Sequence, residues 1–129
     1  MANPAKLTVT PLVPGTPPDR PAGSTIDTNG TVPIEVADFG GYGGWLVIEV
    51  IESNTRALTV KVLAGDNPPA VRSGLGDLTV AITQNTGKVI GPIETARFAQ
   101  NDGDIHVSFT GTGGAAAATV RTYLLPKAV

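Results

Sequence analysis

At 129 residues with a net charge of -2 and 16% charged residues, the chain is one domain's worth of polypeptide, and its scattered Lys and Arg form no cluster to hold a nucleic acid. It contains no cysteine, which excludes disulfides and thiolate metal sites. The start, Met1-Ala-Asn-Pro-Ala-Lys6, lacks the apolar core of a signal peptide, and the apolar run Trp45 to Ile51 falls far short of the ~20 residues of a membrane span; the expectation is a soluble protein made in the cytoplasm, with neither nucleic acid nor membrane as partner.

Residues 1–23 hold six of the eleven prolines: Pro4, Pro11, Pro14, Pro17, Pro18 and Pro21. Proline fixes φ and removes a backbone donor, so this stretch predicts neither a helix nor a central strand. It reads as an extended arm, with an edge strand possible over Leu7 to Val13, where apolar and polar residues alternate. Leu7, Val9, Leu12, Val13 and Pro14 are its candidate partner-binding residues. A loose terminus is the plainer reading of the same prolines.

From Ser24 to the C-terminus the periodicity is mostly two, which predicts a β-domain over residues 24–129. The next unusual segment is Phe39-Gly-Gly-Tyr-Gly-Gly-Trp45. Its Tyr42 and Trp45 are candidates for stacking on a sugar; the alternative is a loop whose Trp45 caps the core. Leu46-Val-Ile-Glu-Val-Ile51 is apolar on both faces except at Glu49 and predicts a central strand. Leu58, Val60 and Val62 alternate with Thr59 and Lys61, as half-buried strands do.

The connection from Ala64 to Asp77 is longer than a hairpin needs and is stiffened by Pro68-Pro69. Long loops in compact domains are commonly functional, and a stiff one loses little entropy on docking. Asp66, Asn67, Pro68 and Pro69 are therefore candidate partner-binding residues, with a solvated crossover between two sheets as the competing reading. Leu78, Val80 and Ile82 alternate with Thr79, Ala81 and Thr83. Glu94, Ala96 and Phe98 read as one face of a strand, because Gly91-Pro92 and the turn at Asp102-Gly103 leave little room for a helix. Ile105, Val107 and Phe109, then Val120, Thr122 and Leu124, complete the alternating runs. Thr28-Asn29-Gly30, Ser53-Asn54-Thr55, Asn85-Thr86-Gly87 and Asn101-Asp102-Gly103 punctuate them as hairpin turns. The predicted fold is all-β: a single-domain antiparallel β-sandwich of about seven to nine strands.

Catalytic chemistry finds little purchase. The single histidine, His106, lies mid-strand with no Gly-x-Ser-x-Gly elbow anywhere, and it reads as a solvent-facing strand residue. Asn101-Asp102-Gly103-Asp104 lacks the 12-residue ligand pattern of a calcium loop and reads as a turn. No catalytic residue, metal or cofactor is expected.

Four stretches in chain order resemble a family of small head decoration (cement) proteins from tailed phages of actinobacteria. They are Leu7-Thr-Val-Thr-Pro-Leu-Val-Pro14; Ala64-Gly-Asp-Asn-Pro-Pro69 followed by Gly76-Asp-Leu78; Gly91-Pro-Ile-Glu-Thr-Ala-Arg-Phe98 with Gln100 and Asp102-Gly103; and Tyr123-Leu-Leu-Pro-Lys127. The resemblance implies a β-sandwich on the outer surface of a mature icosahedral head, often a homotrimer at local three-fold positions. There it would bind the major capsid protein and stabilise the shell against internal DNA pressure. Phe39 to Trp45 lies outside this pattern. In a trimer, apolar strand faces such as Leu46, Ile48 and Val50 could be covered by a neighbouring subunit. A carbohydrate- or cell-surface-binding sandwich using Tyr42 and Trp45 is the alternative.

Overall fold

Alternating apolar residues become strands wherever one face can be buried, and the described residues form nine of them. The computed structural model describes residues 3–12, 15, 19–35, 45–52, 56–65, 76–98, 100 and 102–125. The strands are β1 (Val9–Pro11), β2 (Ser24–Ile26), β3 (Gly30–Ile34), β4 (Trp45–Glu52), β5 (Leu58–Val62), β6 (Leu78–Ile82), β7 (Gly87–Glu94), β8 (Ile105–Gly111) and β9 (Ala118–Leu125), with one helical turn, α1 (Thr95–Phe98), between β7 and β8. One sheet runs β1-β9-β4-β7, with β2 sharing the β9 edge with β1; the other runs β3-β8-β5-β6. The all-β sandwich expected from the periodicity is the fold observed.

The core lies between the two sheets. Side-chain parity decides its membership: Leu46, Ile48 and Val50 of β4 are fully buried against Val60, Ile105, Val107 and Phe109 of the opposite sheet's inner face. Those three β4 residues are thus covered by the chain's own second sheet, which corrects the expectation that a neighbouring subunit would cover them. The outward set of β4 is Trp45, Val47, Glu49 and Ile51, and in its middle Glu49 pairs with Arg121 of β9 at 3.3 Å.

The N-terminal stretch is built into this sandwich. Leu7 forms a bridge to Ile34 of β3, donating its N–H to Pro33 O at 2.8 Å and accepting from Glu35 N at 2.9 Å. Two residues later the chain has changed sheets, and β1 pairs in parallel with β9, Val9 opposite Thr122 and Pro11 opposite Leu124. The Leu7 and Val9 side chains are 1% and 6% exposed. Asn3 Oδ1 accepts from Asp27 N and Thr28 N, and Arg121 donates to Pro21 O and Ala22 O. Asn3, the stretch from Leu7 to Leu12, and Pro21 and Ala22 are thus part of the β-domain and not a separate arm, so Leu7 and Val9 cannot serve as free anchors. An apolar pair in water gains more by entering the adjacent core than by waiting for a partner. Leu12 is half-buried and donates its N–H to Leu124 O, while Val13 and Pro14 lie outside the described residues.

Further sequence expectations change. Strand β7 ends at Glu94, and Thr95–Phe98 is helical rather than extended. The chain must leave one sheet for the other here, and a single turn lets Phe98, 1% exposed, plug the end of the core. Thr28-Asn29-Gly30 is a crossover and not a hairpin turn, since β2 and β3 belong to different sheets. Asn29 works as a clasp instead: its Oδ1 accepts from Gly111 N and Ala116 N, and its Nδ2 donates to Gly114 O. Ser53-Asn54-Thr55 lies outside the described residues, between β4 and β5 of different sheets. Asn85-Thr86-Gly87 turns tightly, with φ of 58° at Asn85, but it too is a crossover and not a hairpin turn, since β6 and β7 belong to different sheets. The Asn85 N–H donates to the buried Glu52 carboxylate at 2.6 Å.

Candidate functional site

Strand directions collect the long connections at one end of the sandwich. Ile34 pairs with Ile105, Val62 with Leu78, Trp45 with both Glu94 and Leu125, and Pro11 with Leu124. The feet of the 35–45 connection, the feet of the 63–77 connection, the helical turn α1 and the last residue of β9 therefore lie together. At the opposite end the described connections are short turns and clasps. Loops grouped on a rigid sandwich are where binding residues commonly sit.

The 63–77 connection joins neighbouring antiparallel strands of one sheet, β5 and β6, so it is an enlarged hairpin and not the crossover weighed above. Its feet are fixed from several sides. Ala64 N–H donates to Asp77 Oδ1 at 2.6 Å, and Gly65 N–H donates to Arg97 O at 3.0 Å. Gln100 Nε2 donates to Ala64 O at 2.8 Å, and Arg97 Nη2 donates to Gly76 O at 3.3 Å. Arg97 also lies over the Phe98 ring, 4.5 Å from its centroid, a cation–π contact that keeps the guanidinium beside the loop. Asp66, Asn67, Pro68 and Pro69 lie outside the described residues, between these fixed feet. The clasp residues Asp77, Arg97 and Gln100 were not singled out by sequence reasoning. Their only signal was position, Asp77 directly before β6 and Arg97 and Gln100 between β7 and β8.

Next to this clasp, Trp45 is 41% exposed and borders a shallow cleft of about 210 Å³ with Pro92, Ile93, Glu94, Arg97 and Phe98. Trp45 is thus a rim residue and not a core cap. Its sequence companion Tyr42 lies outside the described residues. A second cavity of about 230 Å³ lies between β1 and β2, over β9, and includes Thr8, Gly23 and Arg121. Arg121 is already engaged there by Glu49, Pro21 O and Ala22 O, so this cavity reads as a seam in the sheet edge.

A charged cluster completes the loop end. Lys6 Nζ lies 3.3 Å from the buried Asp104 carboxylate and 3.9 Å from Glu35. His106 sits half-buried on the outer face of β8, and its Nε2 donates to Asp102 Oδ2 at 3.1 Å. Asp104 N–H donates to Asp102 Oδ1, and that bond, reinforced by His106 and Lys6, holds the Asp102 carboxyl below its ordinary value against the opposing effect of burial. Asp102 and Gly103 form a turn as expected, but it leads from α1 into β8 on the passage between sheets and is not a hairpin turn. Among the described residues no group of three or more His, Asp or Glu side chains is gathered to hold a metal ion.

Compared with family models, curated proteins and solved structures, the chain matches none.

Proposed function

We propose that this chain is a non-enzymatic structural protein that decorates the outside of a phage head and stabilises it by gripping the major capsid protein through the loop end of its sandwich. The observation that supports the reading most is the clasp. Four hydrogen bonds at Ala64, Gly65, Gly76 and Asp77 fix both feet of the 63–77 connection, so a partner that binds these end residues meets groups already held in place. The resemblance of the same segments to decoration proteins supplies the class of partner. The low charge density suits protein recognition better than recognition of a polyanion. On this reading the protein resides on the outer surface of the virion, works without a cofactor, and presents its loop ends as a homotrimer. Of the two contacts expected from the sequence, the N-terminal residues and the 64–77 loop, the proposal keeps the loop, because Leu7 and Val9 are buried in the core.

Cosedimentation with heads that lack the protein tests this. The wild type is expected in the pellet at saturable stoichiometry, and replacing Pro68-Pro69 with Gly-Gly is expected to weaken binding without changing thermal stability. A wild type that stays in the supernatant overturns the proposal. The exposed Trp45 beside its cleft favours a second reading, a carbohydrate- or cell-surface-binding module. On that reading a glycan array gives selective binding that Trp45→Ala abolishes, while capsid binding is absent.

A further inference from the structure

The four sheet edges of the sandwich are not alike. An exposed edge offers unpaired N–H and C=O groups to any passing strand, and proteins blunt such edges with short strands, proline, lysine or bulges. The β9 edge is covered by two three-residue strands, β1 and β2, and β1 ends in Pro11. The β3 edge carries Pro33 and is bridged by Leu7. The β7 edge carries Lys88, Pro92 and a bulge where Gly91 and Pro92 together oppose Val47. Strand β6 has none of these devices. Leu78-Thr-Val-Ala-Ile82 is free of proline, charge and register shift, and among the described residues nothing pairs with its outer side.

The inner face of β6 is also incompletely covered. Its partners in β5, Val60 and Val62, are fully buried, yet Val80 and Leu78 opposite them are only half-buried. The strand is self-complementary when reversed. About a two-fold axis through Val80, Leu78 faces Ile82 of the second copy, Thr79 faces Ala81, and Val80 faces Val80. Apolar residues meet apolar residues, small ones meet small ones, and no like charges are opposed, as an isologous contact requires.

We propose that β6 is a self-association edge, pairing antiparallel with β6 of a second copy to join two four-stranded sheets into one continuous sheet. The pairing completes the burial of Leu78 and Val80 and leaves the loop end of each copy free. It stands on the edge alone and does not depend on the capsid reading: antiparallel pairing points the two loop ends in opposite directions, so it is an association of the free chain and not the trimer of that reading.

Thr79 and Ala81 are exposed, so charges can be placed there without entering the core. Sedimentation of the full chain is expected to show reversible association of the wild type. The variants Thr79→Lys/Ala81→Lys and Thr79→Glu/Ala81→Glu are each expected to lose it, and an equimolar mixture of the two to regain it. Because the chain has no cysteine, a second measurement is clean. Oxidising a mixture of Thr79→Cys and Ala81→Cys proteins is expected to give a cross-linked dimer that neither variant gives alone. A wild type that is monomeric at every concentration overturns the proposal, as does association untouched by both charged pairs or lost without rescue on mixing. Loss of capsid binding by the charged variants of a monomeric wild type would assign the edge to a partner's strand and also overturn self-pairing.

Discussion

Replacing Leu7 with Ala separates a structural N-terminal segment from a free arm. Leu7 is 1% exposed and sits where the chain passes from the β3 edge to the β9 edge, so its side chain is enclosed by both sheets. Truncating a leucine buried in this way costs about 3 kcal/mol through lost transfer energy and the cavity left behind. The backbone bonds to Pro33 O and from Glu35 N survive the substitution, so the loss is that of the side chain. For a domain of this length, 3 kcal/mol lowers Tm by about 10 °C. Adding Val9→Ala brings the total to about 5 kcal/mol, comparable with the whole stability of a marginal domain at about 5–15 kcal/mol. The assay is thermal and urea unfolding followed by circular dichroism, with the exposed Ala5→Ser as the control, expected to change stability by less than about 0.5 kcal/mol. A Leu7→Ala protein that unfolds with the wild type would refute the reasoning and return the N-terminal residues to the role of an arm.

Gly91→Ala is expected to destabilise by about 3 kcal/mol, because Gly91 has φ of +124° and an added Cβ would lie 2.6 Å from Leu46 O; chemical denaturation measures it. Asn29→Ala removes the acceptor for two buried N–H groups, Gly111 and Ala116, and is expected to cost about 2–3 kcal/mol and to speed amide exchange at both, read by hydrogen-exchange NMR. Asp102 has a lowered carboxyl pKa in the folded protein, so its stabilising contribution is present above the ordinary value of 3.8 and is lost as pH falls below it through the folded value. Asp102→Asn should therefore flatten the acid limb of stability against pH, and a carbon-detected NMR titration should place Asp102 below an ordinary aspartate.

The sequence was most legible where one face of a strand is buried. Leu58, Val60 and Val62, or Ile105, Val107 and Phe109, declare their strands because water and core alternate along them. Strand β7 was illegible for the opposite reason. It is an edge, its residues Gly87, Lys88, Val89 and Pro92 are largely exposed, and burial leaves no period to read. Proline was read correctly at Pro11: it forbids central strands, and the edge strand expected over Leu7 to Val13 forms as β1. What misled there was the apolar alternation of Leu7 and Val9, which serves the chain's own core and not a partner. Parity was visible for β4, but which of its faces met the second sheet and which met solvent was a tertiary matter. The clasp of Asp77, Arg97 and Gln100 joins residues from two separate connections, and no local pattern announces such a meeting.

The most direct test of the capsid proposal is electron microscopy of heads reconstituted with the wild-type protein. The proposal predicts nine-stranded density on the outer surface at local three-fold positions, with the end that carries Trp45, Arg97 and the 63–77 connection against the capsid subunits. Heads without added density at saturating protein, or density attached through the opposite end at Asn29 and Asn85, would contradict it.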